Sequence, residues 1–183
     1  MKIIAFAASN SSTSINQQLI RYAAKTLPSA EVEILDLNDY EMPIFSEDRE
    51  KDTGHPELAH QFHQKIKEAD GLIISFAEHN GYYSSAYKNI FDWVSRIEMK
   101  VYQNTKTVML ATSPGPGGAA RVLEVATSSA DHFAADVTAS LSIPNFYQNF
   151  DSEKQEFINP ELKQLFEQAI NSLAQTPEAV ATV

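Results

Sequence analysis

Residues 6–19 read FAASNSSTSINQQL. The chain leaves an apolar run, passes through six small polar residues at positions 9–14, and enters an amphipathic pattern near Ile15. A tight turn needs two or three such residues, usually with a Gly or Pro, and this stretch has neither. The first N–H groups of a helix lack intrahelical partners and carry the positive end of its dipole. A strand, a hydroxyl-rich loop and a helix start, in that order, therefore describe an anion seat at the end of a strand. Ser9, Ser11, Ser14 and Asn16 offer side-chain donors, and Ile15 and Asn16 offer backbone N–H groups. The loop holds no Lys or Arg, so neutral donors would carry the charge of a phosphate, without the Gly-rich turn and Lys of a P-loop. Capping the helix needs Ser14 alone and leaves the other hydroxyls unexplained.

Working outward, nearly continuous apolar runs at 2–8, 71–77 and 106–112 read as strands covered on both faces. Runs at 32–37 and 137–143 complete a set of strands, and the alternation of 32–37 places it nearer an edge. Helical spacing fills the intervals at 15–27, 57–69, 84–97, 120–134 and 161–174, the last opened by Asn159-Pro160. The alternation predicts an α/β fold: a flavodoxin-like, three-layer, doubly wound five-stranded parallel sheet of order 2-1-3-4-5. Residues 1–175 read as a single domain and 176–183 as a frayed tail. Residues 41–56 read as an irregular, charged connection.

Composition narrows the function. At 183 residues, 43% hydrophobic and 21% charged, the chain suits one globular domain. A formal charge of −10 and a pI near 4.9 argue against nucleic acid, whose phosphates demand clustered Lys and Arg. The absence of cysteine excludes disulfides, thiol nucleophiles and thiolate metal sites. No apolar run approaches the roughly 20 residues of a membrane span, and no export signal is visible, so a cytoplasmic protein is expected. His55, His60 and His63 read as surface or packing residues, and no metal site is expected. No GxSxG elbow accompanies the many serines.

In such a sheet the loops after strands 1, 3 and 4 open on one edge, where ligands bind. The second of these loops, AEHNGYYSS, places Glu78, His79, Asn80 and Gly81 at a strand end, with Asn80-Gly81 as a turn signal. The third, SPGPGGAAR, holds Ser113, Gly115, Gly117 and Gly118, whose backbone a flat ligand can approach. A phosphate seat beside a glycine-lined, aromatic-flanked slot suits a planar heterocycle on a flexible phosphorylated chain, and FMN has that shape. A dinucleotide-binding domain fits less well, because the first loop lacks GxGxxG.

These residues resemble the NAD(P)H-dependent FMN reductase family, over about residues 2–146. The family's GSxRxxSxN is matched by ASNSSTSIN from Ala8, which keeps Ser9, Ser14 and Asn16 but carries Ala8 for the Gly and Ser11 for the Arg. Its ADGxIxxxPEYN…LKNxxDW signature is matched by Ala69-Asp70-Gly71, by Ala77-Glu78-His79-Asn80, and by Lys88-Asn89 with Asp92-Trp93. Its SxGxxGG loop is matched by Ser113-Pro114-Gly115-Pro116-Gly117-Gly118. The resemblance implies FMN as cofactor, with the first loop on the phosphate and the other two framing the ring. It implies NADPH or NADH as co-substrate, a small acceptor such as a quinone, free flavin, azo compound or metal oxyanion, and a homodimer or homotetramer. No catalytic side chain is required of this chemistry. Ser11, Ala77 and His79 depart from the pattern and bear on substrate rather than fold. A flavodoxin-like electron carrier, or a binding protein that has lost reductase activity, remains an alternative.

Overall fold

The structure, a computed structural model, describes residues 1–174; the expected tail at 176–183 lies outside the described residues. Its centre is a parallel sheet of five strands: β1 (Lys2–Ala8), β2 (Glu31–Leu35), β3 (Gly71–Phe76), β4 (Lys106–Thr112) and β5 (Asp136–Ile143). Their order is β2-β1-β3-β4-β5, with every pairing parallel, as the alternation of apolar runs predicts. β2 is an edge strand, as its alternating sequence implies.

Side chains of a strand alternate between faces, so each central strand feeds two cores. Ile4, Phe6, Ile74, Phe76 and Met109 pack against α3 (Glu57–Lys67), α4 (Ser85–Ile97) and α5 (Ala120–Ser129). Ile3, Ala5, Ile73, Val108 and Leu110 pack against α1 (Ile15–Thr26) and α7 (Pro160–Asn171). Each fully buried Leu, Ile or Phe contributes on the order of 1.5–3 kcal/mol, so this double core fixes the sheet on which the loops stand. Among the described residues, no helix is long and apolar enough to cross a membrane.

Several boundaries differ from the sequence reading for local reasons. The strand expected at 32–37 ends at Leu35, because the Asp36 side chain accepts from the Asn38 N–H at 2.9 Å and starts a 3₁₀ turn, Leu37–Tyr40. The helix expected to reach Ala134 stops at Ser129. There the hydroxyls of Thr127, Ser128 and Ser129 donate back to carbonyls of their own helix, and Ala134 is left-handed. The 41–56 connection contains α2 (Glu47–Thr53), capped by Ser46 at one end and Gly54 at the other. No residue of α2 is buried, so apolar periodicity could not reveal it. A short helix, α6 (Phe146–Asn149), and a two-stranded ribbon of β6 (Phe150–Asp151) and β7 (Glu156–Phe157) lie between β5 and α7.

The Lys88–Trp93 stretch of α4 holds the connection in place. Asn89 accepts from the Phe45 N–H at 2.9 Å and donates to the Met42 carbonyl at 3.1 Å, while the Trp93 indole donates to the Pro43 carbonyl at 2.7 Å. Farther along, Glu50 of α2 binds Arg96 and His55, and these two partners hold its carboxyl below the ordinary carboxylate value. Asn89→Ala therefore loosens residues 41–46. Stability to urea should fall by about 1–3 kcal/mol, and limited proteolysis should cut this segment before the sheet.

Candidate functional site

Loops leave the carboxyl ends of β1, β3 and β4 and meet around a cavity of about 260 Å³. The first loop lines it with Ser9, Ser11, Thr13, Ser14, Ile15 and Asn16, the second with residues 77–79, and the third with residues 112–114. Tyr147, from beyond β5, completes the lining.

The first loop is folded on its own hydroxyls. The Ser11 N–H donates to Ser9 Oγ at 3.2 Å, and the Ser14 N–H to the Ser11 carbonyl at 3.1 Å. Ser14 Oγ caps α1 by accepting from the Gln17 N–H at 3.3 Å. The N–H groups of Ile15 and Asn16, in the first turn of α1, find no partner among the described residues. They are the donors that a helix start offers an anion. The Asn16 side chain is engaged elsewhere: buried, it accepts from Ser75 Oγ at 2.8 Å and reaches the Thr112 carbonyl at 3.5 Å. What Asn16 presents to the cavity is therefore its backbone, not the side-chain donor that the sequence suggests.

The second loop is a two-residue hairpin. His79 and Tyr82 exchange backbone hydrogen bonds at 2.9 and 3.1 Å, and Asn80 and Gly81 both have positive φ, 54° and 82°. Asn-Gly is the pair that such a turn demands. Behind it, burial pushes the Tyr83 phenol above its ordinary pKa. Glu78, the one carboxylate in the cavity lining, accepts from the Val122 N–H at 3.2 Å, in the first turn of α5. That bond satisfies a helix-start donor and ties the carboxylate to the helix.

The third loop is fastened to the chain after β5. The Ser113 carbonyl accepts from the Phe146 N–H at 3.1 Å, and the Gly115 carbonyl from the Asn145 N–H at 2.9 Å. Gly118 has φ +58°, and a Cβ there would lie 2.4 Å from Ser142 Oγ and 3.0 Å from the Pro144 nitrogen. Its missing side chain thus lets the loop meet β5. At Gly115 and Gly117 a Cβ would meet nothing within 4 Å, so their backbone stands open to a ligand.

Of the residues singled out in the sequence, Ser9, Ser11, Ser14, Ile15, Asn16, Glu78, His79 and Ser113 share this cavity. Asn80 and Gly81 form the neighbouring hairpin tip, and Gly115, Gly117 and Gly118 follow the lining along the third loop. Thr13, Thr112, Pro114 and Tyr147 also line it and escaped the sequence reading. Thr112 precedes the Ser-Pro-Gly signal and Pro114 lies within it, whereas nothing in the pattern of strands points to Tyr147. The three histidines read as surface or packing residues lie away from this cavity: His55 bonds Glu50 at 2.9 Å and packs beside His60, and His63 bonds Gln103 at 3.2 Å.

A model of the family of NADPH-dependent FMN reductases matches residues 1–148, which contain all three loops and Tyr147. The chain belongs to the NADPH-dependent FMN reductase family. Among curated relatives of this FMN reductase-family chain, an NADPH:quinone oxidoreductase of Arabidopsis thaliana is 29% identical over 122 residues, 64% of this chain and 61% of the plant protein. A 2-hydroxy-1,4-benzoquinone reductase of a Burkholderia species is 33% identical over 122 residues, 66% of this chain and 64% of that protein. The match thus spans less than two thirds of either relative. Among solved structures, the flavoenzyme NAD(P)H:(acceptor) oxidoreductase FerB of Paracoccus denitrificans superposes with a TM-score of 0.73 at 19% identity, covering 94% of each chain. That likeness establishes the flavodoxin-like fold.

The packing of Gly118 gives a direct check. Gly118→Ala combines a left-handed backbone with a clash against β5 and should cost about 2–4 kcal/mol in urea unfolding. Gly117→Ala, facing open space, should cost less than about 1 kcal/mol.

Proposed function

We propose that this chain is an FMN-dependent NAD(P)H oxidoreductase that passes electrons from NADPH or NADH to a small acceptor: a quinone, a free flavin, an azo compound or a metal oxyanion. The observation that carries the reading is the pair of unpartnered N–H groups at Ile15 and Asn16, opening on a cavity shared with the hairpin and the Gly-rich loop. The donor set suits a phosphate ester. It joins these N–H groups to the hydroxyls of Ser9, Ser11, Thr13 and Ser14, and the carboxylate in the lining is already bonded to Val122.

In this reading Ile15 and Asn16 hold the phosphate through the backbone, and Ser9, Ser11 and Ser14 surround it with hydroxyls. Glu78 and His79 border the adjoining slot, where Gly115 and Gly117 keep side chains away from a flat ring. The Asn80-Gly81 tip turns the second loop back sharply beside it. FMN, when bound, supplies the hydride acceptance and the onward electron transfer, so the protein's task is holding and exposing it. The quinone reductase relatives of Arabidopsis and Burkholderia support a quinone among the acceptors. A cytoplasmic setting, a homodimer or homotetramer, and freedom from nucleic acid and membrane partners belong to the same proposal.

Purified protein titrated with FMN should quench its fluorescence and, once loaded, should oxidise NADPH or NADH in the presence of a quinone. Protein that neither binds FMN nor turns over a nicotinamide nucleotide refutes the proposal. Ser14→Asp separates capping from anion binding, because Asp caps a helix as well as Ser does. Thermal stability should hold, whereas FMN affinity should fall at least ~10-fold through repulsion of the phosphate. Riboflavin, which has no phosphate, should bind as before.

A further inference from the structure

Tyr147 is 62% exposed yet lies in the wall of the cavity, beside Phe146, which is fully buried. An exposed aromatic residue on a loose turn would carry little meaning, but this turn is fastened on both sides. The Asn145 and Phe146 N–H groups donate to the Gly115 and Ser113 carbonyls of the third loop. Asn149 Nδ2 donates to the Pro144 carbonyl at 2.8 Å, and the left-handed Asn145 reverses the chain between them. Phe146 anchors the turn beneath, its ring stacked on Phe150 at 5.1 Å. The backbone thus presents Tyr147 to the site while leaving its ring in the open.

The cavity has a need that such a residue meets. No Lys or Arg lines it, and Ser11 stands where the family pattern carries Arg. The phenol hydroxyl of Tyr147 has no partner among the described residues. A phenol O–H is a stronger hydrogen-bond donor than the alcohol of Ser or Thr. Tyr147 reaches the cavity from the segment after β5 and shares its lining with Ser9, Ser11, Ser14, Ile15 and Asn16.

We propose that Tyr147 is a ligand-contact residue that closes the anion seat, donating its phenol hydrogen to the phosphate of the bound flavin nucleotide in the absence of a cation. This inference rests on the FMN reading and adds to it a residue supplied by the segment after β5. It makes the seat an all-neutral one, built from two backbone N–H groups, serine and threonine hydroxyls, and a phenol.

The test compares FMN with riboflavin on wild type and on Tyr147→Phe, by fluorescence quenching at fixed salt. Loss of a hydrogen bond to a charged group should weaken FMN about tenfold or more, while riboflavin affinity stays within about twofold, since the ring is retained. Equal losses for both ligands, or no loss for either, overturn the proposal while leaving the FMN reading intact. Wild-type protein that binds no FMN overturns the FMN reading and this inference together. Matching circular dichroism and thermal midpoints of the two proteins assign any difference to the hydroxyl.

Discussion

A buried amide governs the site. Asn16 is removed from water, and an amide so placed costs several kcal/mol unless its hydrogen bonds are replaced. Ser75, in the otherwise apolar β3, supplies one, and the carbonyl of Thr112 at the end of β4 supplies the other. This locks the first turn of α1 against two central strands. Ser84 Oγ donates to the Ala8 carbonyl, and Thr112 Oγ1 to the Ile143 carbonyl, so the same stitching continues to β1 and β5. The edge on which ligands gather is held by side-chain polar contacts across four strands. The free N–H groups of Ile15 and Asn16 therefore have fixed directions before any ligand arrives.

In the proposed reading, local donors rather than overall charge define the anion seat. The chain carries a formal charge of −10, which taken alone would repel a phosphate. Scattered surface carboxylates are screened within about 8–10 Å at physiological salt, whereas N–H groups in a small cavity act at contact distance. Glu78 shows the same economy at close range, because its carboxylate satisfies the start of α5. Two helix starts thus meet at one cavity, α5 served by the protein's own acid and α1 left for a ligand.

Much of this was legible in the sequence. The apolar runs at β1, β3 and β4 specified a doubly covered sheet, and the fold rule then brought three loops together. The first loop announced itself by hydroxyls that capping could not use up, and Asn80-Gly81 by the turn it dictates. What stayed hidden depended on packing that no local pattern encodes. The strand pattern assigned no role to Ser75, Gly118 read as a ligand-facing glycine rather than one pressed against β5, and α2 read as loop because it buries nothing. Tyr147 was missed because its place depends on hydrogen bonds between segments some thirty residues apart, Ser113–Phe146 and Gly115–Asn145.

The fastening of the third loop to β5 divides the site into parts that differ in their freedom to vary. Around Gly118 no β-carbon is tolerated without displacing Ser142 or the backbone at Pro144. The hairpin tip meets far less: the nearest atom to a Cβ on Gly81 would be Arg121 Cδ, 3.9 Å away. Sequence drift in this lineage, and laboratory diversification alike, can therefore remodel the tip without disturbing the packing beneath it. The scaffold at the β5 junction would be inherited unaltered.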